Sequence, residues 1–112
     1  MKLKNYALGE WVEGSGEGQA LFDAVTGEII GHATSKGLGF DEMMNYARRV
    51  GGPVLRKMTF PERGRMLKAL ALHLTNIKAK YYPLSYQTGA TKADSWIDID
   101  GGIGTLFAYA SL

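Results

Sequence analysis

Thr59-Phe60-Pro61-Glu62-Arg63-Gly64-Arg65-Met66-Leu67-Lys68-Ala69-Leu70-Ala71-Leu72-His73-Leu74-Thr75-Asn76-Ile77 decides how this chain reads. Thr59 and Glu62 stand at the spacing of a capping box, in which each side chain satisfies the other residue's backbone N–H. Pro61 falls in the first turn, where a missing N–H costs nothing. Behind this start, Met66, Leu67, Leu70, Ala71, Leu74 and Ile77 recur at helical steps and fall on one apolar stripe. His73 borders the stripe, which predicts a packed or half-exposed imidazole.

Helical spacing continues on both sides. Upstream, Asp41 is a candidate N-cap and Met43, Met44, Ala47 and Val50 carry the periodicity. Gly51-Gly52-Pro53 is expected to end that helix, leaving Arg48 and Arg49 in a last turn where cations complement the helix dipole. Downstream, Pro83 is expected to begin or kink a short helix that ends near Gly89. A last helix should begin near Thr91 or Ala93 and run through Trp96, Ile97, Ile103, Leu106, Phe107 and Ala110. No Gly, Pro or basic turn stops it before Leu112, which suggests a truncated chain.

The first forty residues read as strands. Tyr6 and Leu8 alternate toward Gly9-Glu10 and Trp11-Val12 resumes, as in a hairpin with a Gly-first two-residue turn. Ala20–Asp23 and Glu28–Ala33 form a second hairpin, with Gly27 supplying a positive φ. The two hairpins could join in one small antiparallel sheet. Gly14-Ser15-Gly16-Glu17-Gly18 reads as a flexible loop, because its spacing fits neither GxGxxG nor GxxxxGK[ST]. The expected class is α+β, with β-hairpins over 1–40 and about four helices over 41–112.

Composition narrows the chemistry. Of 112 residues, 46% are hydrophobic and 21% charged, which suits a globular domain. No apolar run approaches the roughly 18 residues of a membrane span. Met1-Lys2-Leu3-Lys4-Asn5-Tyr6 does not resemble a secretory signal, so a cytoplasmic address is expected by default. The chain has no Cys, which removes thiolate nucleophiles, thiolate zinc sites and iron–sulfur ligation. His32 and His73 are isolated, so no metal site is expected. The net charge of +2 conceals a basic middle. Residues 48–80 carry nine Lys or Arg against Glu62 alone. Without an interleaved aromatic series, that stretch reads as a solvated face more readily than a nucleic-acid surface.

Three constellations could carry chemistry. Asp94 and Asp98 share a helical face while Asp100 points elsewhere, and without a converging ligand they read as solvated. Ser85, Thr88, Ser95 and Thr105 have no obvious His partner, so no Ser–His–acid arrangement is expected. Gly101-Gly102-Ile103-Gly104-Thr105 lies inside the expected last helix, where three glycines weaken it by roughly 2–3 kcal/mol relative to Ala. Gly101, Gly104, Thr105 and Ala108 would form a small-residue ridge, suited to a closely approaching helix or to a ligand.

Asn5-Tyr6 through Gly9-Glu10-Trp11, and Thr26-Gly27-Glu28-Ile29-Ile30-Gly31, resemble the opening hairpins of the aldehyde dehydrogenase superfamily. The 41–50 helix, Glu62-Arg63 with Leu67, and Gln87-Thr88-Gly89 continue in the same order. The block from Gln87 to Phe107 is the most specific part, and it resembles the phenylacetate-degradation branch of that family. A bifunctional member of that branch joins an aldehyde dehydrogenase domain to a hydratase-like domain. The family usually has Gly-Lys where this chain has Gly89-Ala90-Thr91-Lys92.

The resemblance implies that 1–112 is the N-terminal part of the α/β cofactor-binding domain of an NADP- or NAD-dependent enzyme. That enzyme would oxidise a CoA-linked semialdehyde to the acid. A Cys nucleophile, a Glu and the cofactor-binding segments would lie beyond these residues, so this chain alone is expected to be inactive, with no catalytic or cofactor-binding residue of its own. Gly101, Gly104 and Thr105 would lie near the substrate entrance. The partners implied are the rest of the polypeptide and a second copy, as a homo-oligomer.

Overall fold

The computed structural model describes residues 1–112. They divide into two compact units, Met1–Arg56 and Lys57–Leu112. The α+β class is as expected.

In the first unit, β1 (Asn5–Ala7) and β2 (Glu10–Val12) pair antiparallel, with Tyr6 opposite Trp11 and Ala7 opposite Glu10. The Tyr6 and Trp11 rings meet edge to face at 5.1 Å. This register makes Leu8-Gly9 the turn, not the expected Gly9-Glu10. Both turn residues have positive φ, 55° and 83°, as a type I′ turn requires. Holding Leu8 there costs on the order of 1 kcal/mol, offset by the aromatic pair.

Strand β3 (Gln19–Phe22) pairs with β4 (Ile29–Ala33), with a bulge between Leu21 and Phe22. Asp23 Oδ1 accepts from the Val25 and Thr26 amides at 2.8 and 3.1 Å, and Gly27 adopts the expected positive φ of 76°. The hairpins remain two separate two-stranded sheets, not one. A physical reason is visible at β4, whose other edge is taken by the N-terminus. The Leu3 amide donates to the His32 carbonyl at 2.8 Å, and the His32 amide to the Met1 carbonyl at 2.9 Å. Asn5 links the sheets instead, its amide donating to the Thr34 carbonyl at 2.8 Å.

The Gly14–Gly18 loop is fastened, not flexible as expected. The Ser15 amide donates to the Lys36 carbonyl at 2.8 Å, and Thr34 Oγ1 donates to the Ser15 carbonyl at 3.1 Å. A Cβ on Gly14 or Gly18 would stand 2.2 or 2.4 Å from the carbonyl oxygens of Thr34 and Ala33. These glycines allow two backbones to touch.

Helix α1 (Phe40–Tyr46) starts from Gly39, so Asp41 lies in the first turn and is not the N-cap. Nor does Gly51-Gly52-Pro53 end the helix. Ala47–Gly51 form a π turn and α2 (Gly52–Lys57) continues. Pro53 would clash with a carbonyl one α-turn earlier, and the wider π turn accommodates it.

The second unit is built on α3 (Phe60–Ile77) and α5 (Lys92–Ala110). Between them lie a 3₁₀ segment (Lys78–Tyr81) and α4 (Tyr82–Tyr86). The capping box is present, with Thr59 Oγ1 accepting from the Glu62 amide at 3.3 Å and Glu62 Oε2 from the Thr59 amide at 2.6 Å. Hydrogen bonds from Thr59 hold the Glu62 carboxyl below its usual range. Thr91 caps α5 in the same way with Asp94. After α4, Gly89 closes the turn at φ 88°, with its amide donating to the Tyr86 carbonyl at 3.0 Å.

Helices α3 and α5 pack antiparallel. Ala71 and Ser95 are fully buried, and Ile103 nearly so. Leu67, Leu74 and Ile77 are half-buried, while Met66 and Leu70 are each 45% exposed. The expected stripe is therefore covered along one side only, because α5 is a single neighbour. His73 is exposed, not packed.

Gly64 sets the closeness of the pair, since a Cβ there would stand 2.8 Å from the Ala110 carbonyl oxygen. Gly64→Ala should forfeit about 1–3 kcal/mol, read as a lower urea midpoint at unchanged slope. An unchanged midpoint would show that the helices do not need this contact.

Candidate functional site

A polar cluster joins three elements where α3, α4 and α5 meet. Asp100 projects from α5 toward Lys78, which follows α3, and Tyr82, which opens α4. Lys78 Nζ donates to one Asp100 carboxylate oxygen and the Tyr82 hydroxyl to the other. The Asp100 side chain is 17% exposed and that of Lys78 36%. Both carboxylate oxygens are thus supplied with donors while water is largely displaced.

The electrostatics follow from that arrangement. Hydrogen bonds from Lys78 and then Tyr82 favour the charged carboxylate and hold the Asp100 carboxyl below its ordinary value, against the opposing effect of desolvation. The hydrogen bond to Asp100, reinforced by desolvation, pushes the Tyr82 hydroxyl up to about 12. At neutral pH the acid is ionised and the phenol protonated, so neither is poised to exchange a proton. The cluster is a clamp on the helix junction. Beside it lies an apolar hollow of about 220 Å³, lined by Leu74, Lys78, Tyr81, Ile99, Gly102 and Ile103.

The three aspartates expected to be solvated have different roles. Asp94 caps α5, Asp98 is exposed, and Asp100 is clamped. Sequence spacing could not reveal the clamp, because its partners lie 22 and 18 residues away. Asp94 was legible, since an acid at N3 after Thr91 is a capping-box signal. Among the hydroxyls, Ser85 and Ser95 bond each other at 2.8 Å, and Thr88 donates to the Ser85 carbonyl at 2.6 Å.

Gly101 and Gly104 lie on the open side of α5, with no heavy atom within 4 Å of a Cβ placed on either. Thr105 Oγ1 donates to the Gly101 carbonyl at 3.0 Å. The α3 contact runs through Ile103 and Ala110, so the ridge meets no other element. His32 sits in β4 with Nε2 3.5 Å from Glu17 Oε1. No group of three His, Asp or Glu converges as a metal-ligand set. No helix is long and apolar enough to cross a membrane. In the Gly14–Gly18 loop, Gly14 and Gly18 already lie against the chain's own carbonyls, while Gly16 is open.

No family model matches the chain. A curated relative is a CoA-linked semialdehyde dehydrogenase, which bears out the resemblance to aldehyde dehydrogenases read from the hairpins and helices. That relative is the 3,4-dehydroadipyl-CoA semialdehyde dehydrogenase of Aromatoleum evansii, 42% identical over 111 residues. The match takes in 98% of this chain but 22% of the relative's length. The chain thus spans about a fifth of the protein it matches.

The clamp gives stability a dependence on pH at both ends. A carboxyl whose folded pKa lies below its ordinary 3.8 contributes stability above that value and loses it as pH falls. A phenol raised from 10.0 to about 12 contributes fully below pH 10 and loses its contribution between the two values. Thermal melts should therefore fall off at both extremes, and Asp100→Asn should flatten both shoulders while lowering the plateau. Shoulders that persist in Asp100→Asn would assign them to other groups.

Gly101→Ala should raise the melting point, because an open helical glycine costs roughly 0.5–1 kcal/mol relative to alanine. A lower melting point would mean that a close neighbour meets this face.

Proposed function

We propose that residues 1–112 are the N-terminal part of the cofactor-binding domain of an NAD- or NADP-dependent aldehyde dehydrogenase. The whole enzyme oxidises a CoA-linked semialdehyde to its acid, in the cytoplasm, during breakdown of an aromatic compound of the phenylacetate type. The match along nearly the whole chain to a protein of that activity carries this reading. These residues contain no Cys, so on this reading a thiolate nucleophile comes from elsewhere in the polypeptide and the chain alone is expected to be silent. A nicotinamide group held elsewhere in the polypeptide would supply the hydride acceptor.

Surface area supports the view that more polypeptide covers these residues. A compact 12.2 kDa monomer exposes about 6,100 Å², and two separate compact units of half that mass about 7,300 Å². This chain exposes 8426 Å². Trp96 and Ile97 on α5 are each more than 60% exposed. Apolar exposure of that kind is unfavourable in a self-sufficient module and ordinary in a segment buried by its own continuation. A homo-oligomer would cover part of it as well.

On this reading Gly101, Gly104 and Thr105 make room at the substrate entrance, which accounts for glycines with nothing above them in the chain itself. A chimera carrying these 112 residues in place of the matched segment of the Aromatoleum evansii enzyme should oxidise the CoA-linked semialdehyde. Gly104→Leu in that chimera should raise KM several-fold and leave the fold intact. Unchanged kinetics would remove the entrance assignment. A folded chimera that binds the nicotinamide cofactor yet turns over no semialdehyde would overturn the reading itself.

A further inference from the structure

The π turn at Ala47–Gly51 borders a cleft that the dehydrogenase reading leaves unexplained. It has a volume of about 490 Å³ and is lined by Leu8, Glu42, Asn45, Tyr46, Arg48 and Arg49. All lie in the first unit. The type I′ turn of β1 and β2 walls one side, with the Tyr46 hydroxyl 3.2 Å from where a Gly9 Cβ would stand.

Its polar groups are mostly donors. The two guanidinium groups form no salt bridge, and neither they, the Asn45 amide nor the Tyr46 hydroxyl has a hydrogen-bond partner within the protein. Glu42 is the single acid, and its carboxylate folds back toward the start of α1, where Oε2 would lie 3.3 Å from a Gly39 Cβ. Adjacent arginines left unpaired around one hollow repel each other, and the match for several unpartnered N–H and O–H donors is a compact anion with many acceptor oxygens. A π turn is also an uncommon place for ordinary helix surface, and such turns recur at functional sites.

We propose that this cleft binds a small phosphate-bearing ligand, with Arg48 and Arg49 holding the phosphate oxygens and Asn45 and Tyr46 adding neutral donors. The inference stands apart from the dehydrogenase reading, since it rests on these side chains alone.

The test is equilibrium dialysis of the 112-residue chain against radiolabelled inorganic pyrophosphate at constant ionic strength, with orthophosphate as a second probe. Saturable binding at one site per chain is expected, tighter for pyrophosphate than for orthophosphate. Arg48→Ala/Arg49→Ala should weaken it at least ten-fold, and Arg48→Lys/Arg49→Lys by less. Arg65→Ala/Lys68→Ala, which removes two exposed cations of α3, should leave it within two-fold. Circular dichroism should be alike for all, because every substituted side chain is exposed. Absence of saturable binding, or equal losses from both pairs of alanine substitutions, would overturn the site and leave only diffuse attraction to a basic chain.

Discussion

Close contact between α3 and α5 is the constraint on which the second unit depends. Two helices approach closely only where small residues line the seam, since every added side-chain atom on the axis pushes the backbones apart. Gly64 beneath the Ala110 carbonyl and Ala71 in the middle supply that seam, while Ser95 is buried beside Ser85 of α4. Ile103 fills what remains. With only two long helices, one stripe of each can be covered, so Met66, Leu70, Trp96 and Ile97 are left in water. The thin core and the large apolar surface share this single cause.

The clamp around Asp100 complements the seam. Packing fixes the distance between α3 and α5, but a seam of small apolar groups resists sliding poorly. A carboxylate receiving one bond from the end of α3 and another from the start of α4 ties three elements at a single point. Its charge is matched by Lys78, and its second oxygen would lack a donor without Tyr82. Removing either donor leaves a mostly buried carboxylate short of a partner, which is the costly way to break such a network.

Much of this architecture was legible because it is local. Thr59 and Glu62 announce a helix start three residues apart, and Gly27 and Gly89 announce turns that need positive φ. What escaped depends on contacts across long stretches of chain. The pairing of Tyr6 with Trp11 moved the first turn by one residue, and the parallel contact of Lys2 with His32 closed an edge that a four-stranded sheet would have needed. The helix did not stop at Gly51-Gly52-Pro53, because a π turn can absorb a proline that an α turn cannot. The Gly14–Gly18 loop looked loose only because Gly14 and Gly18 meet backbone that lies more than a dozen residues away. Of the candidate site, the open glycine ridge was legible from its spacing. The Asp100 clamp was not, since nothing in one helix names its partners in two others.

The family resemblance adds what physics leaves open. An open ridge and a bare indole are unfavourable in a lone chain and reasonable in a segment about a fifth the length of a semialdehyde dehydrogenase. On the proposed function, the outward face of α5 is interior in the whole enzyme. Acrylamide quenching of Trp96 fluorescence, with Trp11→Phe to remove the other indole, reports on that face directly. The measurement compares the isolated 112-residue chain with the same residues carried in the chimera with the Aromatoleum evansii enzyme, whose other tryptophans are replaced by Phe. The account predicts free quenching in the isolated chain and several-fold protection in the longer one. Equal quenching in both would contradict it.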